Sequence, residues 1–330
     1  MPLFDLPLGQ LRSYLPEPTT PEDFDEFWAR TLEAARAHEV IVSLEPVDSG
    51  LRLVEIYDVT FAGFDGQPVR AWFSRPAGVE GPLPAVVEYL GYGRGRGLPG
   101  ERLTFPAAGW AHLLMDSRGQ GGEWGTGGDT PDPVGSGPAT PGFLTRGVLD
   151  PHEYYYRRLV TDAVRAVDAV RALPGVDPER VAVLGSSQGG GLALSVAGLA
   201  EGLAASSASV PFLCDLPRAI GLTDAAPYNE VVRYLSVHRG HEARVMRTLA
   251  YVDNVSFARR ASAPTLFAVG LRDTICPPST VFAAFNHYGA LAANPPAKRI
   301  EVYEHNHHEG GEAYFVRAQL DFLREVFERA

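Results

Sequence analysis

A mostly parallel α/β sheet wound with helices on both faces is the fold class this sequence predicts, on three observations. Short apolar runs at residues 85–89, 111–115, 181–184, 264–269 and 299–303 have the length and near-continuous hydrophobicity of parallel strands buried on both sides. Helical patterns at 154–173, 189–199, 278–288 and 311–329 separate several of these runs, and this alternation is that of a doubly wound sheet. At 181–190 a strand runs straight into a glycine-flanked turn and then into a helix of small residues. At 330 residues the chain is long for one domain, but one twisted sheet can carry that length, so a single domain over 1–330 is expected.

In chain order, residues 1–50 read as an N-terminal extension. Its clearest element is a helix over 21–38, with Thr20 as N-cap, Pro21 at the first helical position and Phe24, Phe27, Trp28 and Leu32 on one face. Residues 51–61 and 69–74 are rich in β-branched and aromatic side chains, and the short connection with Asp65-Gly66 makes them an antiparallel hairpin at the sheet edge. Two stretches interrupt the alternation that follows. Residues 116–150, rich in Gly and Pro, are too long for a plain connection and read as an insertion at an interface. Residues 216–255 read as a cap-like insertion with a polar helix at 241–252, between strands near 205–210 and 264–269.

Composition removes several classes of function. A net charge of −11 argues against nucleic acid as a partner, because a surface that tracks phosphates needs clustered Lys and Arg. No run of about 18 or more apolar residues occurs, so a membrane partner is not expected either. Asp5 and Pro7 interrupt the apolar core that an export signal would need, and Cys214 and Cys276 are far apart in sequence, which together suit a reducing cytoplasm.

The chemistry is concentrated at Gly185-Ser-Ser-Gln-Gly189. A G-x-S-x-G turn between strand and helix is a nucleophile elbow, in which the glycines let strand and helix approach while Ser187 projects at the carboxyl edge of the sheet. A serine hydroxyl needs a base, and on an α/β-hydrolase fold the partners follow in the order serine, acid, histidine. Asp273 sits just past the strand at 264–269, where a carboxylate reaches the same edge. His305, His307 and His308 all occupy the loop between the last strand and the last helix, and position alone does not choose among them. With Glu309 they also compose a set of zinc-type donors. A metal site would leave the elbow and the ordered acid without a role, so neither metal nor cofactor is expected. Two backbone N–H donors are needed for an oxyanion: Gln188, directly after the nucleophile, and Tyr92, in the glycine-rich loop Gly91-Tyr-Gly-Arg-Gly-Arg-Gly97 after the strand at 85–89.

Arg118-Gly-Gln120, Gly185-Ser-Ser-Gln-Gly189, Asp273-Thr-Ile-Cys-Pro-Pro278 and His308-Glu309 followed by two glycines together resemble carbohydrate esterase family seven, the acetyl xylan esterases and cephalosporin C deacetylases, over nearly the whole chain. The resemblance implies an α/β-hydrolase fold with Ser187 as nucleophile, Asp273 as acid and His308 as base. It makes Tyr92 and Gln188 the oxyanion donors. Trp124, Phe212, Pro227 and Ile275 become walls of the acyl pocket, and Arg118 and Gln120 buried scaffold. The implied substrate is a small acetyl ester, such as an acetylated xylo-oligosaccharide, deacetylated without a cofactor. The implied assembly is a homo-oligomer, a hexamer, in which Phe143, Leu144 and Val148 of the insertion would find cover. A peptidase or general carboxylesterase of the same fold shares the order of the three residues and is the rival reading.

Overall fold

The structure, a computed structural model, describes residues 4–135, 137 and 139–329. Met1–Leu3 of the N-terminal segment, Ser136 and Pro138 of the first insertion and Ala330 lie outside the described residues. Among the described residues nine strands form one sheet: β1 (Ile41–Val47), β2 (Val54–Ala62), β3 (Pro68–Pro76), β4 (Leu83–Tyr89), β5 (Ala111–Met115), β6 (Val176–Ser186), β7 (Ala205–Ser209), β8 (Thr265–Gly270) and β9 (Lys298–Tyr303). Their spatial order is β1-β2-β3-β5-β4-β6-β7-β8-β9. Strands β1 to β3 and the β3–β5 pair are antiparallel, and every pair from β5 to β9 is parallel. This is the predicted fold class.

The helices are α1 (Leu8–Leu11), α2 (Phe24–Arg36), α3 (Thr104–Ala107), α4 (Tyr155–Ala172), α5 (Gln188–Leu199), α6 (Leu216–Leu222), α7 (Asn229–Val237), α8 (Glu242–Ala250), α9 (Asn254–Arg260), α10 (Pro278–His287) and α11 (Glu312–Arg329). One core cluster joins α2, α4 and α5 to the central strands, and another joins α11 to β4, β6, β7 and β8. The two clusters account for the near-continuous hydrophobicity of the parallel strands. Alternate side chains meet different helical layers, so both faces are apolar.

Three local expectations are corrected. The hairpin of β2 and β3 is not the sheet edge, because β1 pairs outside it through Ile41↔Phe61 to Val47↔Ile56. Its sequence contains Glu45 and Pro46 and its outer side faces solvent, so it lacks the apolar run that marks a buried strand. Helix α2 begins at Phe24 behind Asp23, and Thr20 is not its cap: the Thr20 hydroxyl is 2.7 Å from that of Ser256. The buried face of α2, with Phe24, Phe27, Trp28 and Leu32, is as predicted from its period.

The insertion at 116–150 has neither helix nor strand among its described residues. Its apolar side chains need no other subunit, since Phe143, Leu144 and Val148 are buried against the rest of their own chain. An ionic network anchors the segment. Arg118 forks onto Asp162 at 2.6 and 2.8 Å, and Asp132 accepts from Arg158 at 2.8 and 3.1 Å. Among the described residues no helix is long and apolar enough to cross a membrane.

Candidate active site

Strand order places the site. The chain leaves β4, pairs β5 on one side of it, and returns to pair β6 on the other, so the loops after β4 and β6 open onto a crevice at a topological switch point. Tyr89 and Gly185 are register partners at the carboxyl ends of these two strands. The loop containing Tyr92 therefore stands beside the elbow at Ser187.

Ser187 is the hinge between β6 and α5, at φ 58° and ψ −120°, a conformation that side chains other than glycine rarely adopt. The surroundings hold it there. The Ser187 N–H donates to the Ser209 carbonyl at 3.0 Å, and the Ser187 carbonyl accepts from Gly191 and Phe212, each at 3.0 Å. The flanking glycines are required by contact. A Cβ on Gly185 would press into the Gly189 backbone, and one on Gly189 into the Tyr89 carbonyl, both well inside the 3.0 Å that Cβ contacts respect.

Asp273 and His308 arrive from neighbouring strands. The loops after β8 and β9 are tied by Leu271 N–H to the Tyr303 carbonyl and Arg272 N–H to the Asn306 carbonyl, each at 3.0 Å. Fully buried, Asp273 accepts at Oδ1 from the Ile275 and Cys276 N–H groups, at 2.8 and 2.9 Å. Its Oδ2 lies 2.8 Å from His308 Nδ1, and His308 Nε2 lies 2.9 Å from Ser187 Oγ. Acid, imidazole and hydroxyl thus form one hydrogen-bonded chain. Such a chain can remove the serine proton, hold the imidazolium that results and return the proton to a leaving group. His305 and His307 are exposed on the same loop, and the His307 N–H is engaged by Glu309 at 3.1 Å. Among the described residues no group of three or more His, Cys, Asp or Glu side chains is arranged to hold a metal ion.

Gln188 opens α5, where the first N–H groups have no intrahelical acceptor and the helix dipole favours negative charge. Gln120 connects the two donor segments. Its Oε1 accepts from the Gly93 N–H at 2.7 Å, and its Nε2 donates to Gln188 Oε1 and to the Tyr155 hydroxyl, both at 2.9 Å. The Tyr92 carbonyl accepts from Trp124 Nε1 at 2.7 Å. Both bonds fix the Tyr92–Gly93 peptide, and the Gly91 carbonyl of the preceding peptide accepts from the Arg94 N–H at 3.3 Å.

A cavity of about 640 Å³ opens over Ser187 and His308. Tyr92, Trp124, Pro227 and Ile275 line it, as implied by the family resemblance, with Trp124 half exposed at its mouth. Phe212 does not line it. Its side chain is buried behind the wall, with its ring centroid 6.2 Å from that of Tyr92 and 4.6 Å from that of Tyr228. The residue follows β7 and its N–H bonds the Ser187 carbonyl, so the backbone contact turns the ring away from the opening.

Sequence reasoning missed the charged lining, which includes Glu88, Arg102, Glu123, Glu230 and Arg233. Burial alone would raise the Glu88 carboxyl, but Arg102 and His112 beside it outweigh that and hold it below its usual range. Burial pushes the Glu230 carboxyl up to about 7. The local sequence offers little signal for these roles, since a Glu or Arg on an amphipathic helix reads as solvated surface. Ala226 and Pro227, just before α7, and Glu230 and Arg233 on it line the cavity, so the second insertion covers the site in part.

A family model described as acetyl xylan esterase matches residues 1–326. The chain is 31% identical over 275 residues to the acetyl esterase Axe7A of Xylanibacter ruminicola, a match covering 82% of this chain and 61% of that relative's length. An acetyl xylan esterase from Paenibacillus sp. R4 superposes with a TM-score of 0.90 at 38% identity, covering 97% of this chain and 99% of that one. Acetyl xylan esterase 1 from Thermoanaerobacterium sp. JW/SL YS485 superposes at 0.89 and 33%, covering 98% and 100%. With its α/β sheet, its elbow at Ser187 and a family match that spans nearly its full length, the chain belongs to the acetyl xylan esterase family.

Proposed function

We propose that this protein is a serine esterase that removes acetyl groups from small O-acetylated substrates. The observation that carries the reading is the Ser187–His308–Asp273 hydrogen-bonded chain on the floor of an open cavity. His308 takes the Ser187 proton as Oγ attacks the acetyl carbonyl. The oxyanion accepts from the Tyr92 and Gln188 N–H groups, and the alcohol leaves with the proton from His308. Water, deprotonated by the same imidazole, then hydrolyses the acetyl-enzyme. Asp273 keeps the imidazole oriented and stabilises its positive charge. Acetylated xylo-oligosaccharides and acetyl esters of the cephalosporin C kind present the same methyl-bearing group and are the proposed substrate class.

Parallel assays on acetyl esters and on the matching amides test the reading against a peptidase, which turns over both. Covalent labelling of Ser187 by a fluorophosphonate tests it against a silent hydrolase-like binding protein. The hexameric state is a proposal that rests on the family resemblance, with light scattering as its test. A cytoplasmic location is likewise proposed, supported by Cys214 and Cys276, which are buried free thiols.

A further inference from the structure

Of the carboxylates in the cavity lining that the mechanism does not use, Glu230 is the one bonded to Tyr92. Glu230, on α7, is 5% exposed, and both of its oxygens are engaged. Oε1 accepts from the Tyr92 hydroxyl, and Oε2 accepts from the Leu144 N–H at 2.8 Å. The Tyr92 hydroxyl in turn accepts from the Phe143 N–H, and the two rings meet edge to face at 5.4 Å. Three separate segments therefore converge on one carboxylate: the loop after β4, the insertion at 142–144 and the helix that covers the cavity.

We propose that Glu230 is a positioning residue for the oxyanion hole, holding Tyr92 by its hydroxyl so that the Tyr92 N–H stays aimed at the reacting carbonyl, and that it does so only as the carboxylate. The proposal rests on the reading of Tyr92 as an oxyanion donor. Trp124 holds the Tyr92 carbonyl and Gln120 holds the Gly93 N–H, both in the peptide after Tyr92, and the ring packs edge to face on Phe143 and Phe212, which leaves the proton of its hydroxyl in need of an acceptor. Glu230 supplies the remaining constraint. Hydrogen bonds to an ionised carboxylate are roughly twice as strong as those to a neutral acid, so the hold on Tyr92 and Leu144 loosens on protonation.

Around Glu230, Glu123 and Arg146 of the insertion act in opposite senses on its proton, and Arg233 of its own helix lines the same cavity. The hydroxyls of Tyr154, just before α4, and of Tyr156, on it, are also near and are themselves pushed up by burial and stay neutral. Burial dominates and brings the titration of Glu230 to about 7. The carboxylate that Tyr92 needs is present above that value and lost below it.

The test is the pH profile of p-nitrophenyl acetate hydrolysis by the full chain and by Glu230→Gln. In the native enzyme the acid limb of kcat/KM should steepen to two protons, one of them on Glu230. In Glu230→Gln it should follow one proton, and kcat at the optimum should fall roughly 10- to 100-fold, the scale of a displaced but not deleted catalytic group, with KM within about 3-fold. Tyr92→Phe should show the same loss of kcat, and the double variant should be no worse than the weaker single one, because the two side chains act as one unit. A one-proton limb in the native enzyme would overturn the proposal even should Glu230→Gln fail to fold, and additive losses in the double variant would overturn it where the variants fold. Should Glu230→Gln keep native kcat while Ser187→Ala is inactive, this inference fails and the esterase reading stands. Should Ser187→Ala remain active, the esterase reading itself fails.

Discussion

His308 Nε2 lies 2.9 Å from Ser187 Oγ, while its two neighbouring histidines point to solvent from the same loop. Replacing Ser187 or His308 by Ala should therefore reduce kcat for acetyl esters to the residual level of the oxyanion hole and binding, roughly 10³ to 10⁴ over the reaction in water. His305→Ala and His307→Ala should remain within a few-fold of native. Steady-state kinetics on the four variants checks this, and an inactive His307→Ala with an active His308→Ala would contradict the geometry.

The length of the acyl chain should matter steeply. Tyr92, Trp124, Pro227 and Ile275 line the cavity beside Ser187, and Phe212 backs the Tyr92 ring from behind. Each methylene without room costs about 1–3 kcal/mol, or roughly 10- to 200-fold in kcat/KM. Rates on p-nitrophenyl acetate, butyrate and octanoate should fall in that order, and equal rates would indicate a general esterase.

Gly189→Ala should damage fold and activity together. The added methyl meets the Tyr89 carbonyl, which is sheet backbone with little freedom to move, so α5 must shift away from β4. Overpacking of this kind costs about 1–3 kcal/mol. The same shift displaces the Gln188 N–H. A denaturant titration and an esterase assay on the same sample should both register it, and native values in both would refute the close approach.

Arg118→Ala should be the most destabilising single change among those considered. The guanidinium is fully buried, forks onto Asp162 and also approaches Asp132 at 3.4 Å. Removing it strands buried carboxylates, which typically costs about 3–5 kcal/mol. Chemical denaturation should show the loss, whereas the exposed pair Arg324–Asp321 should give almost none when broken.

Asp253 offers a test of linkage. It is buried, caps α9 through the Val255 N–H at 2.9 Å and accepts from Asp215 and Leu216 N–H at 3.0 and 2.7 Å. Burial raises its carboxyl to about 6, above its ordinary value of 3.8. The folded state therefore binds this proton more tightly than the unfolded chain, and the term it contributes to stability is present below pH 3.8 and lost as pH rises through 6. Denaturation of the native protein between pH 4 and 7, compared with Asp253→Asn, should reveal this as a difference in slope, and parallel curves would exclude it.

The sequence by itself determined the parallel core of the sheet, the elbow at Ser187 and the order of Ser187, Asp273 and the histidine loop, because each is written in neighbouring residues. A buried strand is a local apolar run, and an elbow is five residues long. Position in the chain left three histidines open and the family resemblance named His308, while the contact with Ser187 itself depends on how the loops after β8 and β9 are tied together. Tertiary structure also decided that β1 closes the edge, that Phe143 and Leu144 are covered within their own chain, and that Phe212 lies behind the wall. Glu230 is the extreme case. It looks like a surface residue on an amphipathic helix, and only the meeting of three segments distant in sequence makes it a buried carboxylate beside Tyr92. Local pattern reports the energetics of a residue with its near neighbours, and a site built from strand ends is made of contacts between residues that are neighbours only after folding.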